Sequence, residues 1–569
     1  MLTLFQADTS TSYHPNTQYH RQRGPDMFVC NLQHSFANAT FHANFITPKQ
    51  LPVVVEDDPR RELTAVEAEV RKLTTKLTQL MSKTHVLKAR INNSDSPILR
   101  LLPSEVIAEI FLFCIPPVTC GVNNHREPAA PDPDIDAFTP FKLGTICSAW
   151  RRIAWSSPRL WTSITLRLNN RNIKGQLELL GAWLARSGEL PLSIRLDSEE
   201  ENHWTPPASP ATALEVINKY AHRWHDLDLR IPTTCYSYLP RPEVPLPLLA
   251  SVNLNPPGGQ GERRHTVEML QSVQLSSISL SSVYLISMKF NWDQITDLHL
   301  EAFYVDECLT TLCRTPNIVT CSLRNVIGGD DGHTLPSTPI VLEYLKTLNI
   351  DNEKNTSISL LLDSIQIPNA TEINFAGRNL VHVPQICSLI SRSPSLRTFS
   401  LLRMTIPGQH LLLQILESLK TVTNLRLDIP PVYPDRSGHS ASLNDRVFEQ
   451  CNPILALAEQ KECLLPSLEV FEYHGPQSFT WPTILSTLES RRPSGLWDPN
   501  KEFVIRQGSV SDWRSFELFI SKRDANVIAH TDSTLTQLRG LSTNGLKMGL
   551  VIDVPIPEDE TNTKPQRFI

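Results

Sequence analysis

The chain has 569 residues and carries 53 Lys and Arg against 59 Asp and Glu, so its formal net charge is −6. Binding to phosphates needs clustered Lys and Arg, and no strongly basic segment stands out, which argues against nucleic acid as the main ligand. No run of about 18 apolar residues predicts a membrane span, and the first residues lack the basic and apolar regions of a secretion signal, so we expect an intracellular protein of the cytoplasm, the nucleus or both.

The N-terminal part changes character near residue 60. Residues 1–58 are polar without a sustained apolar period, which predicts a disordered segment. From Leu63 to Ile91 apolar residues then recur at alternating intervals of three and four, with Thr84 in one slot. This heptad pattern predicts a long helix over 60–92.

The charges beside the heptad seam bear on whether this helix dimerises. In a parallel homodimer the flanking pairs would be Glu69–Thr74, Lys76–Met81 and Lys83–Lys88. None of these pairs attracts and the last one repels. The pattern therefore favours a helix that packs within the chain or on a different partner, and a homodimer through 63–91 is the alternative.

Two amphipathic helix patterns follow within residues 98–165, separated by a Pro- and Asp-rich loop at 116–140. The first begins with Leu-Pro-Ser-Glu at 102–105 and carries an Ile-Phe pair at 110–111. The second has Leu143, Ile146-Cys147 and Trp150-Arg151, and Ser-Pro-Arg-Leu-Trp at 157–161 closes the segment. Together these residues resemble the F-box, although the inserted loop is longer than in the compact domain.

The resemblance implies a helical domain that packs on a Skp-type adaptor, which links to a cullin. It places adaptor contacts or their immediate support at Leu102, Pro103, Glu105, Val106, Ile110, Phe111, Leu143, Cys147, Trp150, Leu160 and Trp161. Three tryptophans in so short a segment agree with this assignment, since large aromatic residues are typical of anchored interfaces.

A short pattern of apolar, two variable, apolar, variable, apolar residues recurs ten times between residues 224 and 473. Its final residues are 25, 26, 20, 23, 27, 25, 26, 26 and 46 residues apart. Leucine-rich repeats run 20–29 residues with one short strand each, so we expect a divergent leucine-rich-repeat solenoid over 166–480. A C-terminal α/β cap over 481–555 and a polar tail at 556–569 complete the chain.

Proline and glycine follow an unusual balance, with 44 prolines and 21 glycines. Five prolines stand seven residues before the last apolar position of a repeat: Pro247, Pro316, Pro368, Pro394 and Pro466. There we expect proline to end the preceding helix and to begin the extended chain that enters the strand.

Residues beside the inward apolar pair must point to the opposite face of the strand. Candidate target-binding residues on this concave face are Arg230, Asn255, His299, Glu301, Arg324, Asp351, Arg426 and Asp428. Their mixed charge and hydrogen-bonding capacity suit a protein partner.

Motifs of catalysis and cofactor binding are missing from the sequence. It contains no phosphate loop, dinucleotide fingerprint, zinc-protease helix or hydrolase elbow. The cysteines form no CxxC pair, and Cys308, Cys313 and Cys321 are expected to be reduced core residues. We therefore expect a non-catalytic chain without metal or cofactor.

The expected fold class is α/β: an N-terminal helix and a small helical F-box, followed by an irregular solenoid of strand–helix repeats. The resemblance implies the substrate-recognition subunit of an SCF-type cullin-RING ubiquitin ligase, whose repeats bind an unknown target protein. The alternative is a leucine-rich-repeat scaffold that binds proteins without a role in ubiquitylation.

Overall fold

The computed structural model describes residues 59–95, 97–115, 139–198, 209–257, 267–268, 273–328, 336, 338–352, 358–377, 382–430, 441–491, 510–521, 538, 540–541, 546–553 and 566–567. The predicted disordered segment 1–58, most of the loop at 116–140 and most of the tail at 556–569 lie outside these residues. The chain forms two units, 1–85 and 86–569. In the described part of the first unit the chain is helical.

Helices make up the N-terminal region and then alternate with strands. They are α1 (Pro59–Asp95), α2 (Pro97–Leu101), α3 (Ser104–Leu112), α4 (Thr139–Ile146), α5 (Ser148–Trp155), α6 (Ile173–Arg186), α7 (Ala211–Asn218), α8 (Val305–Arg314), α9 (Ser359–Ser364), α10 (Val383–Ser391), α11 (Gln409–Ser418), α12 (Asp445–Cys451), α13 (Pro453–Ala458) and α14 (Trp481–Ser490). Short 3-10 turns lie at Pro158–Trp161, Ala221–Arg223, Thr233–Tyr238 and Leu285–Ser287.

The strands are β1 (Ser163–Leu168), β2 (Leu192–Ser198), β3 (Trp224–Arg230), β4 (Ser251–Leu254), β5 (Ser277–Ser281), β6 (Asp297–Glu301), β7 (Thr320–Arg324), β8 (Ile340–Val341), β9 (Thr347–Asn352), β10 (Ile365–Gln366), β11 (Glu372–Gly377), β12 (Thr398–Leu402), β13 (Asn424–Asp428), β14 (Leu443–Asn444), β15 (Val470–Gly475), β16 (Gln477–Ser478), β17 (Ser515–Ser521), β18 (Lys547–Asp553) and β19 (Gln566–Arg567). Among the described residues, fifteen strands form one sheet in the order β1-β2-β3-β4-β5-β6-β7-β9-β11-β12-β13-β15-β17-β18-β19. Its strands pair in parallel except for the antiparallel β18–β19 pair. The short strands β8 with β10 and β14 with β16 pair separately.

Parallel pairing keeps the two apolar positions of every repeat at the same level of the sheet. The first position is filled by Ile164, Ile194, Leu227, Val252, Ile278, Leu298, Cys321, Leu348, Ile373, Phe399, Leu425, Phe471 and Phe516. The second position lies two residues further along each strand, and none of these side chains is more than 4% exposed. The predicted α/β repeat solenoid is confirmed.

The sheet does not end where the repeat pattern fades. Within the segment predicted as a C-terminal cap, β17 pairs with β15, and β18 pairs with β17, both in parallel. Phe516 and Leu518 of β17 continue the two apolar ladders. The described part of the cap segment thus adds strands to the same sheet as the repeats.

Tight turns precede the strands at the five regularly spaced prolines. In each, the backbone N–H two residues after the proline donates to the carbonyl of the residue before it, at 3.1–3.3 Å. Proline is favoured at the second position of such turns because its ring fixes φ. These turns lie at 246–249, 315–318, 367–370, 393–396 and 465–468.

Two glycines differ in the room that the structure leaves for a side chain. Gly377 ends β11 with a φ of +142°, and an added Cβ would lie 2.1 Å from the Asn352 carbonyl oxygen. Gly181 lies inside α6, where an added Cβ would meet no atom within 4 Å. A side chain is therefore strained at the first position and accommodated at the second.

We predict that Gly377→Ala lowers the free energy of unfolding by about 1–3 kcal/mol, since it combines strained backbone with a steric clash. Gly181→Ala, the matched control, raises the free energy of unfolding by about 0.5–1 kcal/mol because alanine favours the helix. Urea unfolding of the full chain, followed by circular dichroism, measures both. Equal effects of the two substitutions would contradict the close approach of β9 and β11.

Candidate functional site

Aromatic rings join the F-box-like helices to the first repeat. Phe141, Trp155, Trp161 and Trp183 of α6 form edge-to-face contacts with ring centroids 5.0–6.0 Å apart. The Trp161 indole N–H donates to the Ala154 carbonyl at 2.8 Å. Such pairs add to the stabilisation from burial alone, so these helices share one core with the repeats.

The second F-box-like pattern, predicted as one amphipathic helix, forms two helices in the structure, α4 and α5. Cys147 between them is extended, and its Sγ accepts a hydrogen bond from the Trp150 backbone N–H at 3.4 Å. The Arg151 side chain donates to the Gly144 carbonyl at 2.8 Å, which satisfies a carbonyl near the end of α4. The break is thus stabilised from both sides.

Helix α3 separates buried and exposed apolar residues onto different faces. Ile107 and Phe111 are buried, and the Phe111 ring lies 4.7 Å from that of Trp150. Val106, Ile110 and Phe113, spaced four and three residues apart, are 43%, 44% and 91% exposed. This spacing places them on one side. We call these three residues the exposed α3 face.

The eleven residues predicted for adaptor binding fall into three classes. Exposed are Pro103, Glu105, Val106 and Ile110. Partly buried are Leu102, Cys147 and Trp150. Buried in the core are Phe111, Leu143, Leu160 and Trp161. As the chain is folded, the buried four support the surface rather than line it.

The sequence-based assignment also omitted three exposed apolar residues in this region. Phe113 directly follows α3, Leu101 ends α2 and Ile146 ends α4, and all three are exposed. Phe113 stands three residues after Ile110, so helical spacing alone could have added it to the candidates. Ile146 belongs to the F-box-like motif although it was not among the candidates, whereas Leu101 carries no such signal in the sequence.

A second candidate surface is the sheet face opposite the apolar ladders, which we call the polar sheet face. Its central positions carry small polar residues that hydrogen-bond from strand to strand. The Asn253 amide donates to Asp228 at 3.0 Å, Asn349 donates to Ser322 at 3.0 Å, and Asn374 donates to Asn349 at 2.9 Å. Buried polar groups need such partners, so these residues stabilise the sheet.

The middle of the polar sheet face brings three predicted residues together. Arg324 on β7 lies 3.8 Å from Glu301 on β6 and 3.8 Å from Asp351 on β9. Arg403, which follows β12, reaches Asp351 at 3.8 Å as well. Partly exposed pairs of this kind contribute about 0–1 kcal/mol, so a partner could displace them at little cost.

The N-terminal strands hold a more buried charge group around Asp228 on β3. Arg230 approaches this carboxylate at 3.4 Å and Arg195 on β2 at 3.6 Å. Burial raises the pKa of Asp228, and the two guanidinium groups oppose that shift. The predicted residue Arg230 is therefore tied to a structural pair, while Asn255 follows β4 and donates its backbone N–H to the Leu229 carbonyl.

Arg426 and Asp428 lie two residues apart on β13, at the C-terminal end of the polar sheet face. Arg426 approaches Glu472 of β15 at 3.2 Å, and the His474 ring nitrogen lies 2.7 Å from the same carboxylate. The hydrogen bond with His474 lowers the pKa of Glu472, whereas burial raises the pKa of Asp428. His474 also stacks on Phe519, with ring centroids 3.9 Å apart.

His299 lies in β6, with Ser279 and Ser322 opposite it on the neighbouring strands. Its Nδ1 has no hydrogen-bond partner among the described residues. Burial lowers the pKa of its imidazole; Glu301 opposes that shift and Arg324 adds to it. The ring is therefore neutral at neutral pH.

The eight predicted target-binding residues thus belong to three separate groups on one side of the sheet. They lie on or directly after β3 and β4, on β6, β7 and β9, and on β13. Phe519 was not among the predicted site residues because the repeat pattern fades before β17. Arg195 was not among them because the apolar triplet is incomplete in β2. Both lie on strands whose pairing partners, once known, reveal their position.

A cavity of about 640 Å³ lies beside α12 and α13. Its charged lining includes Lys420 paired with Glu462 and Lys461 paired with Glu459. Glu417, Arg446 and Glu449 complete its charged lining.

The structure offers no metal centre within its described residues, where no group of three His, Cys, Asp or Glu could hold an ion. Nor does any helix in those ranges have the length and apolarity to cross a membrane. Cys308 and Cys321 are buried, and burial raises the pKa of Cys321 to about 12. Cys313, predicted to be in the core, is exposed because it lies on the outer side of α8.

The chain is at most weakly similar to known proteins. No family model matches the chain, and no curated protein matches its sequence. A chain from the crystal structure of the Rad7 and Elc1 complex in yeast is similar at 14% sequence identity and a TM-score of 0.32, covering 75% of this chain and 95% of its own length. That similarity is weak, and the assignment to a repeat solenoid depends on the strand pairing itself.

We predict that His299 makes stability fall as the pH drops below about 6.5. An unfolded histidine takes up a proton near that pH, whereas burial keeps the folded ring neutral. Protonation of this one group in the unfolded chain then lowers the free energy of unfolding by up to about 1.4 kcal/mol per pH unit. Urea unfolding at pH 7.5, 6.5 and 5.5 measures the dependence.

His299→Gln should reduce this loss of stability, while His410→Gln at an exposed position of α11 serves as the control. The same pH dependence in His299→Gln as in the unmodified chain would contradict the neutral, partly buried ring.

Proposed function

We propose that the chain is the substrate-recognition subunit of an SCF-type cullin-RING ubiquitin ligase, acting in the cytoplasm, the nucleus or both. Its F-box-like helices bind a Skp-type adaptor, which links to the cullin, and the polar sheet face binds the target protein. The chain itself performs no bond chemistry. It contributes proximity, because a tethered target meets the ubiquitin-charged enzyme at a raised effective concentration.

The observation that carries this proposal is the way α3 divides the residues of the F-box-like motif. Phe111 packs inward against Trp150, whereas the adjacent Ile110 is exposed beside Val106 and Phe113. An exposed apolar stripe on a helix whose opposite side packs on the core is the arrangement expected of a surface that binds another protein.

Two further features support the division of labour between the two surfaces. The aromatic cluster around Trp161 joins the F-box-like helices to α6, so the adaptor side and the repeats share a core. The polar sheet face carries the partly exposed charges of Glu301, Arg324 and Asp351. Extended faces of repeat proteins commonly bind proteins, and these charges can select among partners.

A scaffold without a ligase role is the second candidate. The scaffold function is favoured because the polar sheet face could bind a protein whether or not an adaptor covers the exposed α3 face. The two functions differ in one respect: a scaffold needs no adaptor, and its binding partners would not gain ubiquitin through this chain.

We predict that Ile110→Asp abolishes co-purification of the full chain with a Skp-type adaptor, because burying an unpaired carboxylate at the interface is strongly unfavourable. The free energy of unfolding should change by less than about 0.5 kcal/mol, since the residue is at the surface. Leu360→Asp is the matched control: Leu360 is 45% exposed on α9, against 44% for Ile110.

Adaptor retention by Ile110→Asp, or no adaptor binding by the unmodified chain, would exclude the ligase function. Target proteins are those captured by both the unmodified chain and Ile110→Asp. If the chain is a ligase subunit, ubiquitylation of these proteins requires Ile110. Unchanged ubiquitylation of those proteins would favour the scaffold.

A further inference from the structure

Helix α1 carries an apolar stripe that is exposed along its length. Its seam consists of Leu63, Val66, Val70, Leu73, Leu77, Leu80, Thr84, Leu87 and Ile91, and the apolar side chains among them are 47–59% exposed. Helix α1 is continuous from Pro59 to Asp95, so the seam forms one heptad surface. A long helix gains most of its stability from packing such a face on a partner.

The charges beside the seam are unequally distributed along the helix. With Leu63 at position a, the g positions are Glu62, Glu69, Lys76, Lys83 and Arg90 in chain order. The acidic groups occupy the N-terminal half and the basic groups the C-terminal half. One half of the helix is thus complementary in charge to the other half of a second copy.

Orientation decides whether that complementarity is used. In a parallel pair the g positions face e positions one heptad apart, and Lys83 meets Lys88. In an antiparallel pair g positions face g positions. If the helices cross at residue 75, Leu63 meets Leu87 of the second copy, and Leu73 meets Leu77.

The geometry points to an antiparallel homodimer of the chain through α1, in this register. It brings Glu62 opposite Arg90 and Glu69 opposite Lys83, and symmetry makes each pair twice. In the same register the seam residues from Leu63 to Leu87 of one copy face those of the other. The partner that fits the seam is therefore a second copy of this chain.

Three like-charge contacts oppose this arrangement. Lys76 meets its own copy at the centre, and Arg60 meets Lys88 near the ends, where helices fray. At the ends the Glu62–Arg90 and Arg60–Lys88 contacts offset each other, while the two Glu69–Lys83 contacts outnumber the single Lys76 contact. The parallel alternative has one attractive pair, Arg90–Asp95, against two repulsive pairs, Glu62–Glu67 and Lys83–Lys88.

Analytical ultracentrifugation of the full chain over a range of micromolar concentrations tests the proposal. The unmodified chain should be dimeric. Lys83→Glu should weaken dimerisation about tenfold, because the new carboxylate faces Glu69 of the second copy. In a parallel dimer the same change would strengthen association, since that carboxylate would face Lys88 instead. Glu69→Lys should also weaken the antiparallel dimer about tenfold, and the double variant should restore it.

Arg61→Glu is the control, since Arg61 stands at an f position on the outer side of the helix and should leave dimerisation unchanged. Circular dichroism checks that the variants keep their helix content. A monomeric unmodified chain, stronger association of Lys83→Glu, or failure of the double variant to recover would overturn the proposal. Adaptor binding through Ile110 is measured separately, so it can fail while the dimer persists.

Discussion

The structure depends on one constraint, the parallel register that aligns two apolar positions of every strand with those of its neighbours. Because side chains alternate along a strand, a shift by one residue would turn each ladder to the opposite face. Leu401 of β12, for example, lies between Phe375 and Leu427. No repeat can bury its own pair alone, so each depends on the strand before and the strand after it.

Buried polar side chains connect the loops of successive repeats around that apolar core. Arg491 follows α14, is fully buried, and donates to the carbonyls of Cys451, Leu464 and Leu465 at 2.7–2.9 Å. The Glu307 carboxylate accepts from the backbone N–H groups of Leu285 and Tyr304. These side chains satisfy backbone groups that the strands leave unpaired. Removal of either side chain would leave several buried backbone groups without a hydrogen-bond partner.

Much of the fold could be predicted because the repeat pattern reports local periodicity directly. The ten apolar triplets and the five prolines coincide with strands and turns, since both depend on short-range chemistry. The break at Cys147 could not be predicted from amphipathicity, because Phe141 to Trp155 keeps a helical period across it. Arg491 was also missed: arginine is usually exposed, and only the fold shows the carbonyls that surround it. Phe519 lies where the triplet is too degraded to recognise.

The two candidate surfaces differ in what a partner can gain from them. The exposed α3 face is apolar, so covering it provides affinity through burial of apolar surface. On the polar sheet face the charges are already paired with each other, and a partner must replace those contacts to bind. Such a surface contributes specificity more than affinity. A receptor with this sheet face would hold its target weakly through one copy, and two copies joined through α1 would raise the retention of a target that offers two sites.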